Sequence, residues 1–488
     1  MKIPAANRSF FLFLFPLFFV FHGFVRNARF IRVTDCLVLT GAYFLAALIL
    51  YLLFYALLRN SINAALVASF VMAFYLFFGF IHDPLRKHSI FLHRYSILLP
   101  VFLGLTVLLT LYLRKKAPFT RLSLYLNLLF LLSILYDGAT LTWQSLQSRS
   151  PRFSTVAVFS EGQPACDTCA KPDIYLLVFD EYTGSRTLRD VYHYDNHGLD
   201  SFLEAQGFHI QGKSRSNYWF TSFSMASMLN MSYLNGISHP QALTSDDYTN
   251  VWEPLRKSEV VNSLIAKGYD IVNLSPFDLP GHPSTVSQPF IATNTKLITY
   301  HTLADYLERD FGYVLQRFIP RASKLGNVYK TNETVISRTI QASSLHPARP
   351  RFIYMHVALP HSPFLFDSSL HRRSPEATNV DFRLKDYLDY LPYTNLQAKQ
   401  LITAIKGNSG GKAVILFMSD HGVRAWHDVS DFSYFFNNQN AVYFPDRGYS
   451  CLYDSISNVN QFRVVFNKLF RSNLPLLRDS TIFLQDSE

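Results

Sequence analysis

The chain has 488 residues, of which 49% are hydrophobic and 16% aromatic, and its formal net charge at pH 7 is +10. Residues 1–150 hold 14 Lys and Arg against 3 Asp and Glu, whereas the remaining 338 residues hold 31 against 32. The basic excess therefore belongs to the apolar N-terminal part, where loops beside membrane spans carry Arg and Lys, and this distribution excludes a nucleic-acid-binding surface in the rest of the chain.

Five apolar runs predict a transmembrane domain over residues 1–140. Several of them reach the roughly 20 apolar residues that a bilayer core requires, and their repetition argues against both a soluble helical core and a cleaved signal peptide. The basic residues of the two sides differ little, seven against six, and the cluster Arg114–Lys116 favours a cytoplasmic N-terminus with the large C-terminal part outside. The predicted spans are Phe10–Val25, Cys36–Leu58, Ala64–Ile81, Tyr95–Leu113 and Leu122–Tyr136.

Residues 141–171 predict a linker, because polar residues, Pro and Gly are frequent there. Cys166 and Cys169 form a C-x-x-C pair within it. No second pair or His cluster completes four ligands, so a local disulfide or two free thiols is favoured over a zinc site.

Residues 172–488 predict an α/β domain with a mainly parallel sheet that helices cover on both faces, because apolar strands alternate with helices along the chain. Helices are expected near 198–206, from Thr221, before Gly268 and over 396–405. The predicted strands are Ile174–Phe179, Phe208–Gln211, Asp270–Leu274, Arg351–Val357 and Ala413–Met418.

Two of these strands end in residues that suit a metal site. Asp180 and Glu181 follow the first strand, and Asp420 and His421 follow the last. The carboxyl ends of parallel strands hold ligands in open α/β sheets, so these side chains are expected at one rim. For either pair alone, a turn or a helix cap is the alternative explanation.

Thr221 lies between an aromatic run and a helix of small and apolar residues in SNYWFTSFSMASMLNM. A hydroxyl at a helix N-terminus has free backbone N–H groups nearby, which suits a phosphate or sulfate oxyanion, and metal coordination would make it a nucleophile. A simple helix cap is the alternative. The stretch RFIYMHVALPHSPFLFD adds His356, expected in or near a buried strand, and His361, expected after it at the same rim.

These motifs in this order resemble the sulfatase-type branch of the alkaline phosphatase superfamily. The pattern comprises a strand that ends in Asp180, then Thr221, then PHSP with His361, and then SDHG. The nearest likeness is to bacterial membrane-anchored sulfatase-like hydrolases and transferases, and it extends to FPLFFVFHG and to the tail from NAVYFP through SNVNQFRVVFNKLF. The resemblance implies an α/β sandwich of alkaline phosphatase/sulfatase type behind a five-helix transmembrane bundle.

The resemblance also implies roles for the residues that match. Thr221 would be the nucleophile, His361 would act in catalysis at the substrate or leaving group, and His356, Arg424 and His427 would bind substrate. One divalent metal is implied, with Zn²⁺ favoured and Mn²⁺, Mg²⁺ or Ca²⁺ as alternatives. Its ligands would be Asp180, Glu181, Thr221, Asp420 and His421.

The chain departs from true sulfatases because FTSFS stands where they carry a C/S-x-P-x-R motif. A Thr there, next to a membrane bundle, is similar to phosphoethanolamine transferases and lipoteichoic acid synthases. The expected function is therefore transfer of a phospholipid headgroup to a cell-envelope glycan or lipid at the outer face of a bacterial inner membrane. A phosphate or sulfate ester hydrolase and a catalytically silent membrane scaffold are the alternatives.

Overall fold

The computed structural model describes residues 9–28, 31, 33–88, 91–146, 153, 155, 169–237, 239–243, 245–286, 295–307, 322–374, 378, 383–425 and 429–485. The chain forms two compact units. The first contains residues 1–149 and 292–320, and the second contains residues 150–291 and 321–488.

The first unit consists mainly of apolar helices. Among the described residues, three helices, Val33–Leu58, Tyr95–Arg114 and Thr120–Trp143, are long and apolar enough to cross a bilayer. Ser61–Leu76 and Phe78–Arg86 meet the same test as a pair that is bent by 53°. The helix Phe11–Arg26 is apolar but has only 16 residues, so three or four of the five predicted spans reach the required length.

Large apolar side chains point outward from these helices. Leu37, Val38 and Leu103 are 66%, 74% and 65% exposed, as expected for helices whose surroundings are lipid rather than water. Helix bounds in this unit are Phe11–Arg26, Val33–Leu58, Ser61–Leu76, Phe78–His88, Tyr95–Arg114, Thr120–Leu146 and Lys296–Thr299.

Residues 295–307 belong to the first unit although the chain on both sides of residues 292–320 belongs to the second. Ile298 is buried in an apolar cluster with Phe15 and Leu76. The backbone N–H of Gly79 donates to the carbonyl of His301 at 2.9 Å, and a side chain at position 79 would collide with the His301 ring. The segment is therefore an integral part of the helical unit.

The second unit is built on a six-stranded sheet with the order β2-β6-β5-β1-β4-β3. The strands β5, β1, β4 and β3 run parallel, whereas β6 is antiparallel to β5 and to β2, so the sheet is mixed. The strands are β1 Ile174–Phe179, β2 His209–Ile210, β3 Asp270–Leu274, β4 Arg351–Val357, β5 Val414–Met418 and β6 Asn440–Tyr443.

Helices cover both faces of this sheet because its central strands are apolar on both sides. Ile174, Leu176 and Val178 of β1 pack into one apolar core, and the alternate residues Tyr175 and Leu177 pack into the other. The helices are Ser185–Asp190, His197–Ala205, Thr221–Asn230, Ser245–Asn250, Trp252–Arg256, Glu259–Ala266, Ala322–Ser344, Leu384–Asn408 and Asn458–Phe470, with a 3₁₀ turn at Phe432–Phe436.

The apolar runs at 174–179, 270–274 and 351–357 form strands with the predicted bounds. The helices Thr221–Asn230 and Glu259–Ala266 are also found where they were expected. Strand β6 and the helices Ala322–Ser344 and Asn458–Phe470 had not been predicted. Cys169 is disulfide-bonded, in agreement with the predicted disulfide alternative, while Cys166 lies outside the described residues.

Candidate active site

The carboxyl ends of β1 and β5 bring the predicted acidic residues together. These strands are parallel neighbours, with Val178 level with Met418, so the residues that follow them lie side by side. Asp180, Asp420 and His421 are fully buried, and one ligand atom from each lies within 4.8 Å of the others. They are the group among the described residues that could hold a metal ion.

Two oxygens of this group have no hydrogen-bond partner. Oδ1 of Asp180 and Oδ2 of Asp420 are buried and accept no hydrogen bond, while Oδ1 of Asp420 accepts one from the backbone N–H of Glu181 at 3.0 Å. Buried carboxylate oxygens without partners are costly in free energy unless a cation neutralises them. The residues present therefore fit a divalent metal.

His421 directs its other ring nitrogen, Nε2, to the same place. Its Nδ1 lies 2.8 Å from the carbonyl oxygen of Gly422, which can only accept, so Nδ1 donates there and Nε2 is the nitrogen that a neutral imidazole would offer to a metal. Nε2 lies 3.3 Å from Oδ2 of Asp420.

Thr221 is the first residue of the helix Thr221–Asn230, as the sequence predicted. Its hydroxyl lies 3.3 Å from Nε2 of His421. The first N–H groups of a helix have no partner within the helix and favour a negative charge nearby. The Thr221 hydroxyl thus lies between a cation site and a helix N-terminus.

His356 is fully buried and lies next to Asp180. Its Nε2 is 3.3 Å from Oδ2 of Asp180, and its Nδ1 is 3.0 Å from the hydroxyl of Tyr354. Burial and the nearby Asp420 and Asp180 charges raise the pKa of Tyr354 well above its usual value, so its hydroxyl keeps the proton and donates it. His356 then donates from Nε2 and orients Asp180, whereas the sequence had assigned it to substrate binding.

Glu181 has a left-handed backbone, with φ of +64°, and its side chain is directed to Arg424. Nε of Arg424 lies 3.1 Å from Oε1 of Glu181, and Nε2 of His361 lies 3.9 Å from Oε2. Burial raises the pKa of Glu181, but the Arg424 charge and then His361 lower it below its usual value. Its carboxylate therefore neutralises Arg424 here, and its assignment as a metal ligand stays a prediction.

The structure brings Asp180, Glu181, Thr221, Asp420 and His421 together, with His356, His361 and Arg424 around them. His427 lies outside the described residues. Sequence analysis missed Tyr354, Ser224 and Asn458, which contact His356 or the backbone of Asp420. Only Tyr354 had a sequence signal, since it precedes His356 by two positions on one strand and so shares its face.

No protein-family model matches the chain, and no curated protein matches it significantly. Solved structures do match. The C-terminal periplasmic domain of EptC from Escherichia coli has 11% identity and a TM-score of 0.39 over 69% of this chain and 92% of that one. Phosphonate monoester hydrolase of Agrobacterium radiobacter has 13% identity and a TM-score of 0.37, over 65% of this chain and 78% of that chain.

A third match is a putative sulfatase from Bacteroides thetaiotaomicron, with 10% identity and a TM-score of 0.37 over 64% of this chain and 73% of that chain. The EptC domain has also been solved in complex with Zn. Sulfatases, a phosphonate monoester hydrolase and an EptC domain are thus among the structures to which this chain is similar.

Proposed function

We propose that this protein is a metal-dependent phosphotransferase of the sulfatase-like class. It would take a phosphate-linked headgroup from a membrane phospholipid and pass it to a hydroxyl of a cell-envelope glycan or lipid. One observation carries the proposal: Asp180 and Asp420, each with a buried carboxylate oxygen that has no hydrogen-bond partner, cluster with His421, whose Nε2 lies 3.3 Å from the hydroxyl of Thr221. A hydroxyl nucleophile beside a cation site is what phosphoryl transfer through a covalent intermediate requires.

Asp180, Asp420 and His421 would hold the metal. A divalent ion there would lower the pKa of a nearby hydroxyl and stabilise the negative charge that develops on phosphate oxygens. One imidazole nitrogen with two carboxylates suits Zn²⁺ and Mn²⁺, and the carboxylates alone would suit Mg²⁺ or Ca²⁺. We propose Zn²⁺ as the first ion to test.

Thr221 forms the covalent bond in the proposed reaction. Its Oγ1 attacks the phosphorus of the phospholipid, and the bond between phosphorus and the glycerol oxygen breaks. The proton of the Thr221 hydroxyl ends on the diacylglycerol that leaves, and the headgroup remains on Thr221 as a phosphodiester. The acceptor hydroxyl then attacks the same phosphorus, the bond to Thr221 breaks, and the acceptor proton returns to Thr221.

We propose His361 as the residue that acts on the leaving oxygen. Its Nδ1 lies 2.7 Å from the carbonyl oxygen of Ser362, so Nδ1 carries the proton and Nε2 is turned towards Glu181. The His361 side chain is 13% exposed, which leaves it accessible from the site. A nitrogen in this position can carry the proton between Thr221 and the departing alcohol.

The charges of the site support a phosphodiester substrate. The Arg424 guanidinium is paired with Glu181 at 3.1 Å, and a divalent ion would be balanced by Asp180 and Asp420. The site would therefore hold no spare positive charge. A singly charged phosphodiester or sulfate ester suits such a site better than a doubly charged phosphate monoester.

The apolar helices support a location in the membrane. We propose that five spans, with the 16-residue helix Phe11–Arg26 as the first, place the second unit on the extracytoplasmic side of a bacterial inner membrane. The disulfide at Cys169 supports that side, since disulfides persist in oxidising compartments.

Intact mass spectrometry of the purified full-length protein, incubated with phospholipid vesicles and Zn²⁺, tests this function. A mass increase equal to the headgroup phosphate, mapped to the peptide that contains Thr221, is the expected result. Product analysis with and without an acceptor alcohol separates transfer from ester hydrolysis. Protein that binds no Zn²⁺ or Mn²⁺ and forms no adduct would instead indicate the silent scaffold.

A further inference from the structure

The two loops that carry the metal ligands are fastened to each other by a third segment, residues 434–440, which we call the clasp. Its backbone bonds the loop after β5: Gly422 N–H donates to Phe435 at 2.8 Å, and Ser419 N–H donates to Gln439 at 2.9 Å. It also bonds the loop after β1, since Gln439 N–H donates to the carbonyl of Tyr182 at 2.9 Å. The clasp therefore fixes the spacing between the two ligand loops.

The clasp approaches the two ligand loops so closely that glycine is required in each loop at the point of contact. A side chain at Gly422 would lie 2.6 Å from the carbonyl oxygen of Asn437, and one at Gly184 would lie 3.0 Å from that of Asn438. The Gly of the SDHG motif thus allows the clasp to approach the residue after His421.

Asn438 and Asn458 extend this fastening to the backbone of Asp420. Nδ2 of Asn438 donates to the carbonyl of Ser419 at 2.6 Å and to Oδ1 of Asn458 at 3.0 Å. Nδ2 of Asn458 donates to the carbonyl of Asp420 at 3.1 Å. Asn458 is the first residue of the C-terminal helix Asn458–Phe470 and is fully buried.

Ser224, in the helix that begins at Thr221, donates a hydrogen bond to the same carbonyl. Its hydroxyl donates to the carbonyl of Asp420 at 2.6 Å, and it lies one turn after Thr221 in the same helix. The Asp420 carbonyl therefore accepts from the helix of the nucleophile and from the C-terminal helix. Both donors are buried, with Ser224 only 1% exposed.

We propose that Ser224 and Asn458 are positioning residues for Asp420, so that the C-terminal helix sets the metal affinity of the site. This inference rests on the proposed function, in which Asp420 binds the metal. Fixing the peptide group after Asp420 fixes the direction of its side chain, and groups that orient a ligand affect metal affinity by roughly 10–100-fold. The tail motif SNVNQF, which gave no catalytic residue, thereby acquires a role in the site.

The chain offers matched controls for both residues. Asn460 is also fully buried in the C-terminal helix, but its amide donates to the carbonyl of Leu477 and to Asp479 instead of to a ligand loop. Ser227 is buried in the same helix as Ser224, and its hydroxyl donates to the carbonyl of Ser232 at 2.8 Å. Each control loses similar hydrogen bonds without touching the Asp420 loop.

The test is calorimetric titration of Zn²⁺ into the chelator-treated full-length protein in detergent. We expect Asn458→Leu and Ser224→Ala to weaken Zn²⁺ binding by about 10–100-fold, and Asn460→Leu and Ser227→Ala to change it by less than about threefold. The melting temperatures of the metal-free variants are measured in parallel. Within each pair they should fall by similar amounts, so that a difference in affinity is not a difference in folding.

Wild-type affinity in both Asn458→Leu and Ser224→Ala would overturn the proposal, as would equal losses in the controls. If Asn458→Leu does not fold, the pair Ser224→Ala and Ser227→Ala decides alone. A wild-type protein that binds neither Zn²⁺ nor Mn²⁺ would overturn the metal centre of the proposed function itself. That result is distinguishable, because it appears before any variant is compared.

Discussion

Nε2 of His421 lies 3.3 Å from the hydroxyl of Thr221, although 200 positions separate the two residues in the sequence. In a neutral imidazole this nitrogen would carry the lone pair, because Nδ1 donates to the carbonyl of Gly422. His421 in turn clusters with Asp180 and Asp420, each of which has a buried carboxylate oxygen without a hydrogen-bond partner. The geometry leads to predictions for the nucleophile, the ligands and the charge pair beside them.

Thr221→Ala should abolish turnover, by at least about 10³-fold, because it removes the oxygen that we propose forms the covalent intermediate. Zn²⁺ content and melting temperature should change little, since Asp180, Asp420 and His421 remain. Thr221→Ser, which keeps a hydroxyl, is the control and should retain measurable activity. An adduct on the Thr221→Ala protein in the mass spectrum would show that another residue is the nucleophile.

Asp420→Asn should lose metal together with activity. Its Oδ2 is buried without a partner, and an amide group there brings no negative charge to the cation. We expect Zn²⁺ affinity to fall by more than about 100-fold. Substituting a residue that only orients a ligand costs up to about 100-fold, and removing a ligand itself should cost more. Asp386→Asn is the control, because that buried carboxylate pairs with Arg373. Zn²⁺ titrations of both variants against the wild type would check this, and equal losses would contradict it.

Zn²⁺ should stabilise the wild-type protein against unfolding. A ligand that binds only the folded state at 100 times its dissociation constant adds about 2.7 kcal/mol to the free energy of unfolding. The melting temperature of chelator-treated protein should therefore rise on addition of Zn²⁺, and that of Asp420→Asn should not. The same rise in both proteins would place the bound Zn²⁺ elsewhere.

Glu181→Gln should destabilise the metal-free protein by about 1–3 kcal/mol at pH 7, because it leaves Arg424 beside the site without its carboxylate. The pKa of Glu181 is lowered in the folded state, so its contribution is complete above the usual Glu value of about 4.3 and declines as the pH falls from there through the lower folded-state pKa. The loss in melting temperature should therefore be larger at pH 7 than at pH 4.

The control for that experiment is Glu253→Gln, which breaks an ion pair with the largely exposed Lys257 at the end of the helix Trp252–Arg256 and should cost at most about 1 kcal/mol. Metal affinity supplies a second measurement. Because the carboxylate of Glu181 pairs with Arg424, Glu181→Gln should weaken Zn²⁺ binding by less than about tenfold. This loss is well short of the loss expected for Asp420→Asn. A loss as large as that of Asp420→Asn would make Glu181 a metal ligand.

Thiol labelling should find two reactive cysteines in the unfolded, unreduced protein and four after reduction. Cys36 and Cys451 are free, and Cys169 is disulfide-bonded. The labelling is done in denaturant because Cys36 is buried. Four labelled cysteines without reductant would contradict both the disulfide and the oxidising compartment that it supports.

The sequence predicted the central strands well, because each is a continuous apolar run buried on both faces. Strand β6 was missed because it has only four residues and follows the polar run NNQN, whose own last residue opens the strand. The helix Ala322–Ser344 carries many polar residues and few strongly apolar ones, so its pattern resembled a surface loop.

For the site, the sequence predicted which residues would be near one another but not where each side chain would point. Adjacent residues at a strand end point to opposite faces of the sheet. The left-handed backbone at Glu181 changes the direction of its side chain further. Asp180 therefore meets the cation site while Glu181 meets Arg424. The buried contact of Asn458 with Asp420 depends on how a terminal helix packs, which local patterns do not encode.

Residues 295–307 have a practical consequence for protein production. A soluble fragment that starts after the helix Thr120–Leu146 would still contain this segment, but not the apolar helices against which Ile298 and Tyr306 are buried. Both side chains would then face water, and exposed apolar patches of this kind promote aggregation. A secreted fragment for crystallisation should therefore replace residues 295–307 with a short Gly/Ser linker.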